Sequence, residues 1–247
     1  MTMAQLIQFF DERLQEIESY LQLLEDIEVE THSGPPKLGK NEKTITTQQQ
    51  KILYSGVFLQ LYSLVEACIV QCLDSVTEAA AQNDNYIPGD LSKELRREWV
   101  RVVARTHVNM SYEKRLDNAL HLCNQLVDSL PISEFKIEKG SSGNWDDLAI
   151  ENVAERLGFK LNVDQDTNSE IKKNVKDDLG SLVLIKTQRN SLAHGNISFV
   201  ECGENFTVSD LRNLTDRTAS YLREVVQSFV NHIENHQYLI PEKRPHS

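Results

Sequence analysis

The sequence predicts an all-α protein, a bundle of about six or seven helices, and three observations carry that expectation. Ten glycines and six prolines in 247 residues are too few to punctuate a β-sandwich or barrel, which needs a turn roughly every 8 to 12 residues. Apolar residues recur at spacings of three and four over long stretches, the period of a helix with one buried face. A composition of 40% hydrophobic and 26% charged residues is that of a globular domain able to build a core. With no internal repeat and no low-complexity tract, residues 1–247 read as one domain.

Leu6, Phe10, Leu14, Ile17, Leu21, Leu24 and Ile27 form one stripe of a first helix over about residues 4–28. A flexible loop is expected at about 29–45, where Ser33-Gly34-Pro35-Pro36 and Gly39 break any apolar period. From Thr46 to about Gln82 there is no proline and one glycine in a largely apolar run, which predicts the central, most buried helix. Breakers at Asn83-Asp84-Asn85 and Pro88-Gly89 precede a helix over about 91–106 with Leu95, Trp99, Val102 and Val103 on its apolar side. Ser111 is placed to cap the next, in which Leu116, Ala119, Leu120, Cys123, Leu126, Val127 and Leu130 keep a near-ideal 3.6-residue period.

After a turn at Gly140–Gly143, Asn144 with Asp147 three residues on suggests the N-cap of a short helix, 145–157, ended by Gly158. Lys160–Asn168 is polar and fits extended chain; helix signals resume at Ile171 and run to Ala193, with a break expected at Gly180 and a stop at Gly195. Residues 196–207, around Gly203, fit either a small β-hairpin or an irregular loop. Thr207 or Ser209 then caps a last long helix with Leu211, Leu214, Leu222, Val225, Phe229 and Ile233 on one face.

Thirty-seven acidic against 26 basic residues give a net charge of −11, which disfavours non-specific attraction to nucleic acid or anionic lipid. Either partner must be met by a local basic patch. Four cysteines with no CxxC spacing make no disulfide framework and suit a reducing compartment. The N-terminal stretch lacks a basic region before its short apolar run, so neither a signal peptide nor an anchor is expected. No window approaches the roughly 18 consecutive apolar residues of a membrane span. Asn196-Ile-Ser198 and Asn205-Phe-Thr207 fit the N-glycosylation pattern, and without a secretion signal they read as chance. The expectation is a cytoplasmic protein that does not engage a membrane.

Gln188-Arg189-Asn190-Ser191-Leu192-Ala193-His194-Gly195 gathers a cation, an amide, an imidazole and a terminating glycine at the end of one helix. Asn190 and His194, four apart, share a helix face, while Arg189 and His194 are separated by about 140° of rotation and about 7.5 Å of rise. A long arginine side chain can curl round to that face. This spacing resembles the Arg-x4-6-His motif of the HEPN superfamily, compact helical-bundle ribonucleases common in bacterial toxin–antitoxin and phage-defence systems. Arg189, the polar Asn190 directly after it, and His194 match the motif residue by residue. The chain looks most like the stand-alone bacterial HEPN proteins with a long N-terminal helix pair.

What the resemblance implies is metal-independent RNA cleavage with no cofactor, in which the ribose 2′-OH attacks the adjacent phosphate and leaves 2′,3′-cyclic phosphate and 5′-OH ends. Arg189, Asn190 and His194 are then the catalytic residues. His194 moves protons, the ordinary imidazole pKa of about 6.5 suiting it to the task. Arg189 stabilises charge on the phosphorane, and Asn190 orients phosphate or imidazole. The resemblance further implies a homodimer that brings two motifs into one cleft. In toxins paired with a nucleotidyltransferase antitoxin, a tyrosine two residues after the histidine receives nucleotides; Asn196 stands there in this chain, which speaks against that mode of inactivation. The net charge leaves room for a basic antitoxin as partner.

Two other pairs fit the spacing, Arg101 with His107 and Arg115 with His121, but an apolar residue follows each arginine and no helix-ending glycine follows either histidine. Even at 189–194 a plainer reading exists: a histidine in the last turn before a C′ glycine caps free carbonyls and meets the helix dipole favourably. Lys93, Arg97, Arg101 and Arg105 have i+4 spacing and offer an RNA-binding phosphate track, against the simpler reading of a solvated helix face. His232 and His236 are four apart but lack a third metal ligand, and Cys68 and Cys72 sit where free cysteine behaves as a small core residue. No phosphate-binding glycine loop, nucleophile elbow or paired-carboxylate motif is present. Function therefore narrows to a HEPN-type endoribonuclease acting as a toxin or defence effector, or to a non-catalytic HEPN-like module that binds RNA, nucleotide or protein.

Overall fold

The computed structural model describes residues 3–38, 43–81, 86–105, 109–132, 135–138 and 144–245. Within them the chain is an all-α bundle built around one helix, α2 (Thr47–Ala81). Thirty-five residues without proline give α2 an uninterrupted ladder, and its apolar residues, from Tyr54, Val57 and Phe58 to Leu73 and Val76, are buried on more than one side. By length and composition α2 would pass for a membrane span, with a mean hydropathy of 1.6 over 18 residues, yet 56% of that window is buried by other helices. It is a core helix.

Four helices cover it: α1 (Met3–Thr31), α7 (Ser181–Ala193), α8 (Phe199–Glu204) and α9 (Val208–Glu234). The predicted stripe of α1 is the buried one, with Leu6, Phe10, Ile17, Leu21, Leu24 and Ile27 in the core and Leu14 partly covered. The α9 face of Leu211, Leu214, Leu222, Val225, Phe229 and Ile233 is buried as expected, each such side chain contributing about 1.5–3 kcal/mol. Arg212 on α9 ties the two outer helices together through ion pairs with Glu18 and Glu25 of α1.

Two glycines permit close approach to α2. At Gly56 a Cβ would stand 2.8 Å from the Tyr20 hydroxyl oxygen, and that hydroxyl donates to the Leu53 carbonyl at 2.8 Å. At Gly203 a Cβ would fall 2.0 Å from the Lys51 carbonyl oxygen, inside contact distance of a backbone that cannot give.

Several boundaries differ from expectation, each for a local reason. Residues 196–207 form no hairpin; they hold α8, started by a capping box in which the Ser198 hydroxyl accepts from Glu201 N and Glu201 accepts from Ser198 N. The small antiparallel pair lies in the segment expected to be a flexible loop, as β1 (Lys37–Leu38) against β2 (Lys43–Thr44), and α1 itself runs on to Thr31. Residues 39–42 of that loop lie outside the described residues, as do the expected breaks at Asn83–Asn85 and the turn at Gly140–Gly143. The expected helix 145–157 is α5 (Asp147–Arg156), capped by Asp146 rather than Asn144. α6 (Gln165–Lys172) begins within the stretch read as extended, because Asp164 accepts from the backbone of Asp166 and Thr167. A bridge between Lys176 and Leu179 separates it from α7.

α3 (Lys93–Val103) is capped by Ser92 and buries Leu95 and Trp99. The segment before it is stitched to the chain after α9: Leu91 pairs with Leu239, Ser92 N donates to Tyr238 O at 2.8 Å, and Ile240 N to Asp90 O at 2.9 Å. α4 (Tyr112–Val127) is capped by Ser111 as predicted, but its periodic apolar face is not covered: no residue of the helix is buried, and Leu116 and Leu120 are 54% and 53% exposed.

These contrasts set a stability test. Gly203→Ala forces α8 off α2 and is expected to cost about 3 kcal/mol, at the upper end of overpacking penalties. Leu120→Ser, on a face that buries nothing, should stay within about 0.5 kcal/mol of the parent. Urea unfolding midpoints of the two variants check both.

Candidate functional site

α7 presents its motif because one side of it is anchored and its end is closed by backbone alone. Leu182, Leu184, Ile185 and Leu192 are buried, while Arg189 and Asn190 are half-buried at the rim and His194 is exposed. His194 is the C-cap residue, and Gly195 follows at φ +70°, where a Cβ would meet nothing within 4 Å. The glycine is thus required by its left-handed backbone, not by space. Gly195 N donates to Leu192 O at 3.1 Å and Asn196 N to Ser191 O at 2.8 Å, a Schellman closure that satisfies these last-turn carbonyls. Among the described residues the His194 imidazole makes no hydrogen bond or ion pair, so the cap does not use it.

The Arg189 side chain curls toward the face that Asn190 shares with His194. Its Nη1 donates to Asn190 Oδ1 at 2.8 Å, and its guanidinium carbon lies 4.3 Å from the centre of the Tyr62 ring on α2. Asn190 Nδ2 donates in turn to Asn144 Oδ1 at 3.3 Å. Next along the chain, Trp145 N donates to the Tyr62 hydroxyl at 3.4 Å, and Asp146 both caps α5 and pairs with Lys186 on α7. Three consecutive residues, Asn144 to Asp146, therefore hold α2 and α7 together beside the motif. Of these residues only Asn144 drew notice in the sequence, as a helix cap. The usable signal was Asp146, an equally good cap that frees Asn144 for another role.

The basic track of α3 is divided. Lys93 and Arg97 are exposed and have no ion pair among the described residues. Arg101 reaches Glu98, a carboxylate only 1% exposed, at 2.9 Å, and Arg156 of α5 reaches the same carboxylate at 3.0 Å. Arg105 lies beyond the helix in a turn at φ +49°. Arg96, beside the track, donates to the carbonyls of Pro88, Gly89 and Leu91. Of the two other arginine–histidine pairs, His107 is outside the described residues; Arg115 bonds Asn109, and His121 is exposed on α4.

His232 and His236 do not converge. His232 is buried, stacked on Phe159 with ring centres 4.4 Å apart, and its Nδ1 meets Gln237 Oε1 at 3.3 Å. Its Nε2 has no partner among the described residues. His236 bonds the Tyr238 hydroxyl at 3.0 Å, and no group of three or more His, Cys, Asp or Glu is gathered among the described residues. Cys68 and Cys72 are buried in α2, where desolvation pushes the Cys68 thiol up to about 12 and Cys72 up as well.

Burial pushes the His232 imidazole down to about 4, with Arg244 adding to the effect and the Gln237 hydrogen bond opposing it. Because the folded value lies below the unfolded value of about 6.5, the neutral ring's stabilisation is complete above pH 6.5 and is lost as pH falls toward 4. The loss reaches about 3 kcal/mol at the lower end. Denaturant unfolding at a series of pH values should show a shallower slope across this window for His232→Leu; equal slopes would assign the acid lability elsewhere.

Compared with known families, residues 2–238 match the one described as HEPN_MAE_28990-like HEPN. The comparisons with curated proteins and with solved structures give no match.

Proposed function

The chain belongs to the HEPN_MAE_28990-like HEPN family, whose domain is that of a HEPN-type nuclease or RNA-binding module, and on that premise we propose that it is a metal-independent endoribonuclease. The observation that carries this reading is the contrast at the end of α7. Among the described residues Arg189 is held by neutral partners only, an aromatic face and an amide, and His194 is held by none. An arginine with no carboxylate partner among the described residues and a histidine its own helix end does not use support a role for both beyond the fold.

In the reaction, His194 takes the proton from a ribose 2′-OH as its oxygen bonds to phosphorus. The bond from phosphorus to the 5′-oxygen breaks, and that oxygen takes up the proton held by His194 and leaves as the 5′-OH, which returns the imidazole to its neutral form. Arg189 balances the charge growing on the phosphorane oxygens. Asn190, already bonded to Arg189, orients it. One chain supplies one such set, and a homodimer that brings two into a cleft follows from the family resemblance, as does service as a toxin or defence effector with an antitoxin partner. Lys93 and Arg97 are the track cations free to meet phosphate.

Labelled RNA incubated in EDTA with the wild type, Arg189→Ala and His194→Ala tests the proposal. Cleavage to cyclic-phosphate ends is expected for the wild type, with losses of about 100-fold or more in each variant. RNA bound but uncut by all three would favour the non-catalytic module. Cleavage untouched in His194→Ala would mean that the site lies elsewhere, and a strictly monomeric active species by size-exclusion light scattering would remove the composite cleft.

The divided track gives a second test. Arg97→Glu is expected to weaken RNA binding and its salt dependence at unchanged stability. Arg101→Glu should instead destabilise the fold by about 3–5 kcal/mol, because it sets a second carboxylate against buried Glu98.

A further inference from the structure

We infer that Tyr62 and Asn144 are positioning residues for the motif, acting through Arg189 and Asn190 respectively; the inference rests on the nuclease reading above. The donor and acceptor chemistry allows only one arrangement. A guanidinium can only donate, so the Asn190 atom that meets Arg189 Nη1 at 2.8 Å must be its oxygen. The amide nitrogen of Asn190 is then the end that faces Asn144, and the Asn144 atom it meets at 3.3 Å must be an oxygen. Asn144 thereby fixes which way the Asn190 amide points. With the acceptor at 144 removed, nothing in this chain of bonds prevents the amide from turning its NH2 toward Arg189, donor against donor.

Tyr62 acts on the guanidinium itself. The ring is buried on the most deeply packed helix, and the guanidinium carbon lies 4.3 Å from its centre. A stacked guanidinium keeps its full charge and leaves its N–H edge open, whereas a carboxylate partner would take both. That is the difference between Arg189 and Arg101 or Arg212, which are bound to glutamates. The Tyr62 hydroxyl accepts from Trp145 N, whereas Arg189 meets the ring.

The test is a double-mutant cycle read as both cleavage rate and RNA affinity, with thermal melting of every variant. Tyr62→Phe keeps the ring and should remain within about threefold of wild type. Tyr62→Leu should lose about tenfold or more. In an Arg189→Ala background, Tyr62→Leu should cost nothing further, because its effect passes through Arg189; a purely structural role would instead multiply the two losses. Asn144→Leu, at a half-buried rim position that does not open the core, should lose activity, and Asn144→Asp, which restores an acceptor, should recover it. Wild-type rates for Tyr62→Leu and Asn144→Leu beside a crippled Arg189→Ala would overturn the inference while leaving the nuclease reading intact. An Arg189→Ala protein that cuts and binds as the wild type does would place the site elsewhere and overturn this inference with that assignment, whereas a wild type that cuts no RNA would overturn the nuclease reading itself.

Discussion

α2 has to be buried on more than one side, and the bundle is arranged to meet that requirement. No single neighbour can cover a 35-residue helix whose apolar residues are not confined to one stripe, so α1, α7, α8 and α9 each take a sector. Two glycines set the spacing, one lying under the Tyr20 hydroxyl and one against the Lys51 carbonyl. Since α7 is among the helices that cover α2, the position of Arg189 over Tyr62 is fixed by core packing and not by a mobile loop. A site held in this way loses little entropy on meeting a ligand, which is the advantage of building it on rigid elements.

Polar groups inside such a bundle must be matched or kept neutral. Glu98 is matched twice, by Arg101 and Arg156, and removal of either arginine would leave a buried charge half-served. His232 takes the other course and stays unprotonated against Phe159. Neither arrangement touches the α7 motif, so the polar interior of the fold and the polar rim of the site are separate systems. The three residues Asn144 to Asp146 belong to the second, since each meets a partner on α2 or α7.

The sequence made plain whatever depends on neighbours along the chain. The stripes of α1 and α9, the Ser111 cap and the Gly195 stop are local patterns, and each appears where its pattern lies. α4 shows what a pattern leaves out: its period is nearly ideal, but periodicity records that one face is apolar, not that the chain supplies a cover for it. Gly203 shows the same limit from the other side. It resembled a turn residue, yet its reason is a carbonyl on α2 that lies far away in sequence. The capping box Ser198-x-x-Glu201 was legible and outweighs that glycine, which is why α8 stands in place of a hairpin. In the site, Arg189, Asn190 and His194 lie within six consecutive residues and are legible together. Tyr62 could not, because an aromatic residue in an apolar helix looks the same whether it fills the core or supports a cation.

A net charge of −11 constrains how such a site can work. It disfavours long-range attraction of a polyanion, and several of the arginines are paired with glutamate: Arg101 and Arg156 share Glu98, Arg212 meets Glu18 and Glu25, and Arg217 meets Glu170. Among the described residues Arg189 has only a ring and an amide as partners, so its field survives at contact range, within the roughly 8–10 Å over which charges are felt in physiological salt. A phosphate gains from Arg189 only after it has arrived. On the nuclease reading, any affinity for a polyanion must therefore be built from local contacts, at the end of α7 and at Lys93 and Arg97, which have no ion pair among the described residues. What sets Arg189 apart from Arg101 and Arg212 among the described residues is its surroundings, a ring and an amide where those two meet carboxylates.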